Sequence, residues 1–129
     1  MQAGWTFLIP QPGTSLDSHL WIILSDPQAD PEKILVVNLT SWRQDKDQAC
    51  VLEVGDHPFV RHKSCVSYRG AKVVCVARLT QLQEAGFQLQ EPVSAELLNR
   101  MRESALASVF MAEEHADILI DQKLVDWYS

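Results

Sequence analysis

The chain has 129 residues, 47% apolar and 22% charged, with a formal net charge of −6 and an isoelectric point near 5.1. That balance excludes a disordered polymer, and the length suffices for one domain with a buried core. No apolar run approaches the roughly 20 residues of a membrane span, and the acidic excess argues against nucleic-acid binding spread over the whole surface.

The opening "MQAGWTFLIPQPG" has no basic segment ahead of a long apolar stretch, so a cytoplasmic location is expected. Within it, "WTFLIP" is a short extended run stopped by Pro10 and Pro12-Gly13, with a Ser/Thr/Asp loop after it. "HLWIILSDP" is apolar on both faces from Leu20 to Leu24 and ends at Asp26-Pro27, the pattern of a central strand. After a turn-rich "DPQADPEK" comes a second two-sided strand, Ile34 to Trp42, rich in β-branched residues. "RQDKDQ" reads as a charged hairpin connection, and "ACVLEV" as a third strand closed by Gly55-Asp56.

Pro58 then predicts a single helical turn over residues 58–62, capped by Asp56. "SCVSYRG" and "AKVVCVARL" read as two strands joined near Arg69-Gly70, and "TQLQEAGFQLQEP" as a weak helix or loop. Ser94 is the expected N-cap of a helix whose apolar stripe is Leu97, Leu98, Met101, Ala105 and Val109. The pattern continues as one long helix or as two with a break near Phe110. The expected fold is mainly β with C-terminal helices: a small bent sheet or barrel over residues 1–90, and a helical appendage of the same domain over 91–129. Cys50, Cys65 and Cys75 lie in apolar strand-like runs and are expected to be reduced and buried.

The acidic excess sits mainly in the appendage, which leaves room for a local basic face from Arg43, Arg61, Lys63, Arg69 and Lys72. The densest chemistry is "GDHPFVRH", residues 55–62, with two histidines, an arginine and an aspartate in eight residues. His57 and His62 fall on opposite faces of a strand, or about 140° apart on a helix, so only the Pro58 kink could bring them together. If it does, two imidazoles near neutral pH supply a base and an acid for phosphodiester transfer, with Arg61 or Arg69 balancing charge. Otherwise the segment is a capped surface turn.

Thr40 and Ser41 end the second central strand, where hydroxyls bind a phosphate or satisfy the turn; Trp42 follows as the best base-stacking candidate. His19 opens the first central strand. The spacing of His57, His62 and Cys65 matches no common zinc pattern, and no metal or other cofactor is expected.

The order "HLWIILSDP", "KILVVNLTS", "GDHPFVRHKSCVSYRGAKVV", over roughly residues 15–80, resembles the PemK/MazF group of toxins from toxin–antitoxin systems. The resemblance implies an SH3-like barrel with appended helices, a homodimer, and metal-independent cleavage of single-stranded RNA, with an antitoxin protein covering the groove. Thr40 matches that group's strand-end threonine. The group's catalytic arginine ahead of "HLWIILS" is missing here, with His19 near its place, and "GDHPFVRH" is foreign to the ordinary pattern. Two expectations follow. In one, cleavage has become histidine-based: His57 or His19 is the base, the other or His62 the acid, and Thr40, Ser41 and Arg61 hold the phosphate. In the other, the barrel is a non-catalytic protein-interaction module.

Overall fold

The computed structural model describes residues 1–10, 18–84 and 89–125. The loop expected after Pro12 lies almost wholly outside these residues, as does the 85–88 part of the weak helix. In chain order the elements are β1 (Thr6–Pro10), β2 (Ser18–Ile23), β3 (Lys33–Ser41), β4 (Val51–Leu52) and β5 (Ser64–Cys75). They are followed by α1 (Val76–Glu84), β6 (Leu89–Gln90), α2 (Ala95–Ala107) and α3 (Glu113–Asp121). The strands make one antiparallel sheet, ordered β4-β5-β3-β2-β1-β6 and curled into a half-barrel.

The two-sided apolar pattern of β2 and β3 has a direct cause: helices cover both faces of the sheet. Leu20, Ile22, Leu35, Val37 and Leu39 point to one side, where they meet Leu97, Leu98, Met101 and Ala105 of α2 and Leu119 of α3. Ile23, Ile34 and Val36 point to the other, with Phe7 of β1 and Leu79 of α1. Ser94 caps α2 as expected, its hydroxyl accepting from Leu97 N at 3.1 Å. Tyr68, 1% exposed, ties β5 to α2 by donating its hydroxyl to Met101 O at 2.6 Å.

Several expectations are corrected. "SCVSYRGAKVVC" is one strand, not two, but it bends where the break was expected. Between the pairs Val36↔Lys72 and Asn38↔Ser67, β3 advances two residues and β5 five, which is a bulge. Gly70 permits it, because an added Cβ would lie 2.7 Å from Asn38 Oδ1 and 3.1 Å from Ser67 Oγ. The charged connection after β3 is not a hairpin: β5 inserts between β3 and β4, so residues 42–50 cross over. "VARL" begins α1 rather than ending a strand, and Cys75 is exposed.

The helical tail is two helices with the break at residues 108–112, and Val109 leaves the apolar stripe, 88% exposed. The turn at Pro58 is tight and ends at Val60, whose N–H donates to His57 O at 2.9 Å. Asp56 caps backwards rather than forwards, its Oδ2 accepting from Glu53 N at 2.8 Å across Gly55, where φ is +105°.

Candidate functional site

At the end of β3 the chain gathers a polar rim. Ser41 pairs in register with Ser64, and Trp42 N donates to Lys63 O at 3.0 Å, so residues 61–63 run beside residues 41–42. Antiparallel pairing thereby brings together groups about twenty positions apart. Ser41 Oγ and His62 Nε2 share a hydrogen bond of 2.8 Å. Lys63 Nζ stands 4.1 Å from the centroid of the Trp42 ring, a cation–π contact, and Trp42 Nε1 donates to Gln48 Oε1 at 2.6 Å.

The crossover loop folds back onto the strand it leaves. Lys46 Nζ donates to Thr40 Oγ1 at 2.7 Å and to Ser41 O at 2.9 Å. A cation is thus fixed at the strand end by one hydroxyl and one backbone carbonyl. Arg43 pairs with Asp45 at 3.5 Å, but both side chains are largely exposed and the pair adds little. Arg61 is exposed next to His62 and forms no ion pair among the described residues.

Beside the rim lies a cleft of about 340 Å³. Asn38 and Thr40 of β3, with their partners Ser67 and Cys65 of β5, make its floor. By strand alternation these residues occupy the face opposite Leu35, Val37 and Leu39. Asp45, Lys46 and Asp47 of the crossover loop, together with Arg69 and Phe110, complete its lining. Arg69 lies 4.4 Å from the Phe110 ring centroid, and Ser108 donates its hydroxyl to Asp47 Oδ2, fastening the connector between α2 and α3 across the crossover loop.

The structure brings Thr40, Ser41, Trp42 and His62 to one rim, with Arg61 alongside and Arg69 in the lining of the neighbouring cleft. His19 comes close: its Nδ1 is 3.2 Å from Leu39 O, one residue before Thr40. His57 is placed elsewhere. It is 4% exposed, and both ring nitrogens are engaged: Nε2 with Glu91 O at 2.5 Å, Nδ1 accepting from Phe59 N at 3.1 Å. Those partners assign the proton to Nε2. Glu91 O also accepts from Thr6 Oγ1 at 2.7 Å, so His57 joins the turn after β4 to the segment following β6. In "GDHPFVRH" one histidine is an internal tie and the other a rim group.

Sequence reasoning missed Lys46 and Asn38. Lys46 sits in a charged loop that looks like ordinary solvated turn, and nothing local indicates that it returns to Thr40. Asn38 interrupts a β-branched run, a polar residue on a strand otherwise covered on both faces, and that was the available signal.

Burial pushes the Cys50 and Cys65 thiols up, which makes both poor nucleophiles. Among the described residues no group of His, Cys, Asp or Glu is arranged to hold a metal ion, and no helix is long and apolar enough to cross a membrane. Fold and rim together define a curled antiparallel half-barrel, helix-covered on both faces, with a hydroxyl, cation and aromatic cluster at one strand end. No protein-family model matches the chain, and neither does any curated protein sequence.

Proposed function

We propose that the chain is a divergent PemK/MazF-like barrel that binds single-stranded RNA along the rim of Ser41, Trp42, Lys46, His62 and Lys63. One observation carries this: a lysine seated on Thr40 and Ser41 at 2.7–2.9 Å lies in the same cluster as an aromatic ring already stacked against a second lysine. Single-strand binders combine cations that follow the phosphates with aromatic planes that take the bases. The net charge of −6 belongs mainly to the C-terminal helices, so a local basic rim is compatible with it.

Metal-independent cleavage of that RNA is the second reading, favoured by the position of His19 near Thr40 and of His62 on Ser41. One imidazole would take the ribose 2′-hydroxyl proton as the 2′-oxygen attacks phosphorus. The other would protonate the departing 5′-oxygen, leaving a 2′,3′-cyclic phosphate. His57 has no part in this version, since its nitrogens are committed to the fold. The resemblance adds a homodimer, an antitoxin-type partner over the groove and a cytoplasmic setting to the proposal.

The test is binding of labelled RNA oligomers at several salt concentrations in the presence of a chelator, with cleavage followed in the same samples. Lys46→Ala and Lys63→Ala should each reduce the slope of log affinity against log salt by about 0.7 to 1. Binding that is absent at low salt, or indifferent to both substitutions, overturns the proposal. Cleavage that falls in His62→Ala by far more than its binding does establishes the second reading.

A further inference from the structure

We infer that the cleft beside the rim receives a single nucleobase, supplied by the strand that the rim holds. This rests on the RNA reading of the rim and adds a base-recognising subsite to it.

The first observation is Asn38. The residue is nine-tenths buried on the cleft floor, and its carboxamide makes no hydrogen bond with any described residue. Among the described residues no buried side-chain polar atom is left sealed away without a partner, so the amide's polar atoms open onto the cleft that Asn38 lines. Water meets those atoms in the open cleft, and a bound group with adjacent donor and acceptor can take its place. Gly70 keeps that position open, since a Cβ there would collide with Asn38 Oδ1.

Charge then selects the kind of group. The lining holds two carboxylates, Asp45 and Asp47, and two cations, Lys46 and Arg69, so its formal charge is balanced. A phosphate entering the cleft meets both carboxylates as well as the two cations and gains little there. A neutral, polar, planar ring suits the interior. The Arg69–Phe110 pair supplies a flat wall for stacking, and Ser67 adds a hydroxyl on the floor.

Size gives the same answer. About 340 Å³ is at the low end of ligand clefts, roughly 300–1,000 Å³, and suits one ring system with its sugar rather than a run of bases. A carboxamide pairs in bidentate fashion with adenine, and bases in an unpaired strand also offer it their Watson–Crick edges.

The experiment measures binding of adenine, uracil, cytosine and guanine homo-oligomers, an abasic oligomer, and the four free mononucleotides as competitors. It is run on wild type, Asn38→Ala and Phe110→Ala. Phe110 is partly exposed on a connector, so its substitution leaves the core intact and serves as the second variant if Asn38→Ala folds poorly. Wild type should prefer one base, and each substitution should weaken that oligomer about ten- to a hundredfold, while abasic binding and the salt slope stay unchanged.

Competition by the matching mononucleotide, sensitive to Asn38, supports the subsite. If that mononucleotide binds and no oligomer does, the base comes from a free nucleotide and the RNA-fed version falls. Oligomer binding with no base preference, or unaffected by both substitutions, overturns the inference and leaves the rim proposal standing. Absence of all binding removes both.

Discussion

His57→Ala tests whether the most conspicuous residue of the chain is chemical or architectural. The substitution removes two hydrogen bonds of a ring that is 4% exposed, one to Glu91 O and one from Phe59 N. Glu91 O keeps the Thr6 hydroxyl, and Phe59 lies in a surface turn, 39% exposed. The hydrogen-bond loss is therefore the ordinary net value, about 1 kcal/mol each. The void left by the ring adds about 1–2 kcal/mol more. A total near 3–4 kcal/mol is a large share of the roughly 5–15 kcal/mol available to a domain. With a urea slope of about 2 kcal/mol per molar, the unfolding midpoint should drop by about 1.5–2 M. Urea titration by circular dichroism measures this, and RNA binding by the folded variant should match wild type. His62→Ala should behave inversely, changing stability by no more than about 0.5 kcal/mol because the side chain is exposed, while altering binding at the rim. An unchanged midpoint for His57→Ala together with loss of RNA cleavage would refute the assignment of His57 to the framework.

Three other outcomes are expected. A thiol reagent added to native protein should modify Cys75 quickly, and Cys50 and Cys65 only on unfolding, because these two are buried and their thiols are pushed up; three equal rates would contradict the packing of β5. Asp56 is held below its usual range, first by the Glu53 N–H and then by the Arg100 guanidinium 3.2 Å away, so its stabilising contribution is present above the ordinary carboxylate range and lost as pH falls through its lowered value. Asp56→Asn should accordingly lose less stability than wild type between pH 4 and the acid limit, as read by thermal melts. Burial raises the Tyr68 phenol well above its usual value, so the protonated form is favoured in the fold and stability declines once pH exceeds the ordinary value of about 10. Tyr68→Phe should be about 1 kcal/mol less stable at neutral pH, through loss of the bond to Met101 O, and the gap should narrow in alkali.

Individual strands and helix starts were legible because their signals are local. Two-sided apolar runs marked β2 and β3, Ser94 marked the start of α2, and Arg69-Gly70 marked the bend in β5. Errors arose where neighbours in space decide. Val109 continues the helical stripe in sequence, yet Ser108 ends the helix by bonding to Asp47 and to Phe110 N. "RQDKDQ" has the composition of a hairpin, but β5 takes the place beside β3.

Composition and periodicity alone determined a mainly β chain with helices after it, an acidic tail, and a polar strand end at Thr40-Ser41. Only the tertiary structure decided which polar residues meet there. Antiparallel pairing carried His62 and Lys63 to Ser41 and Trp42. The crossover loop returned Lys46 to Thr40, and a bond to the Glu91 carbonyl drew His57 inside. Such meetings depend on register and on long-range hydrogen bonds, which spacing along the chain does not encode.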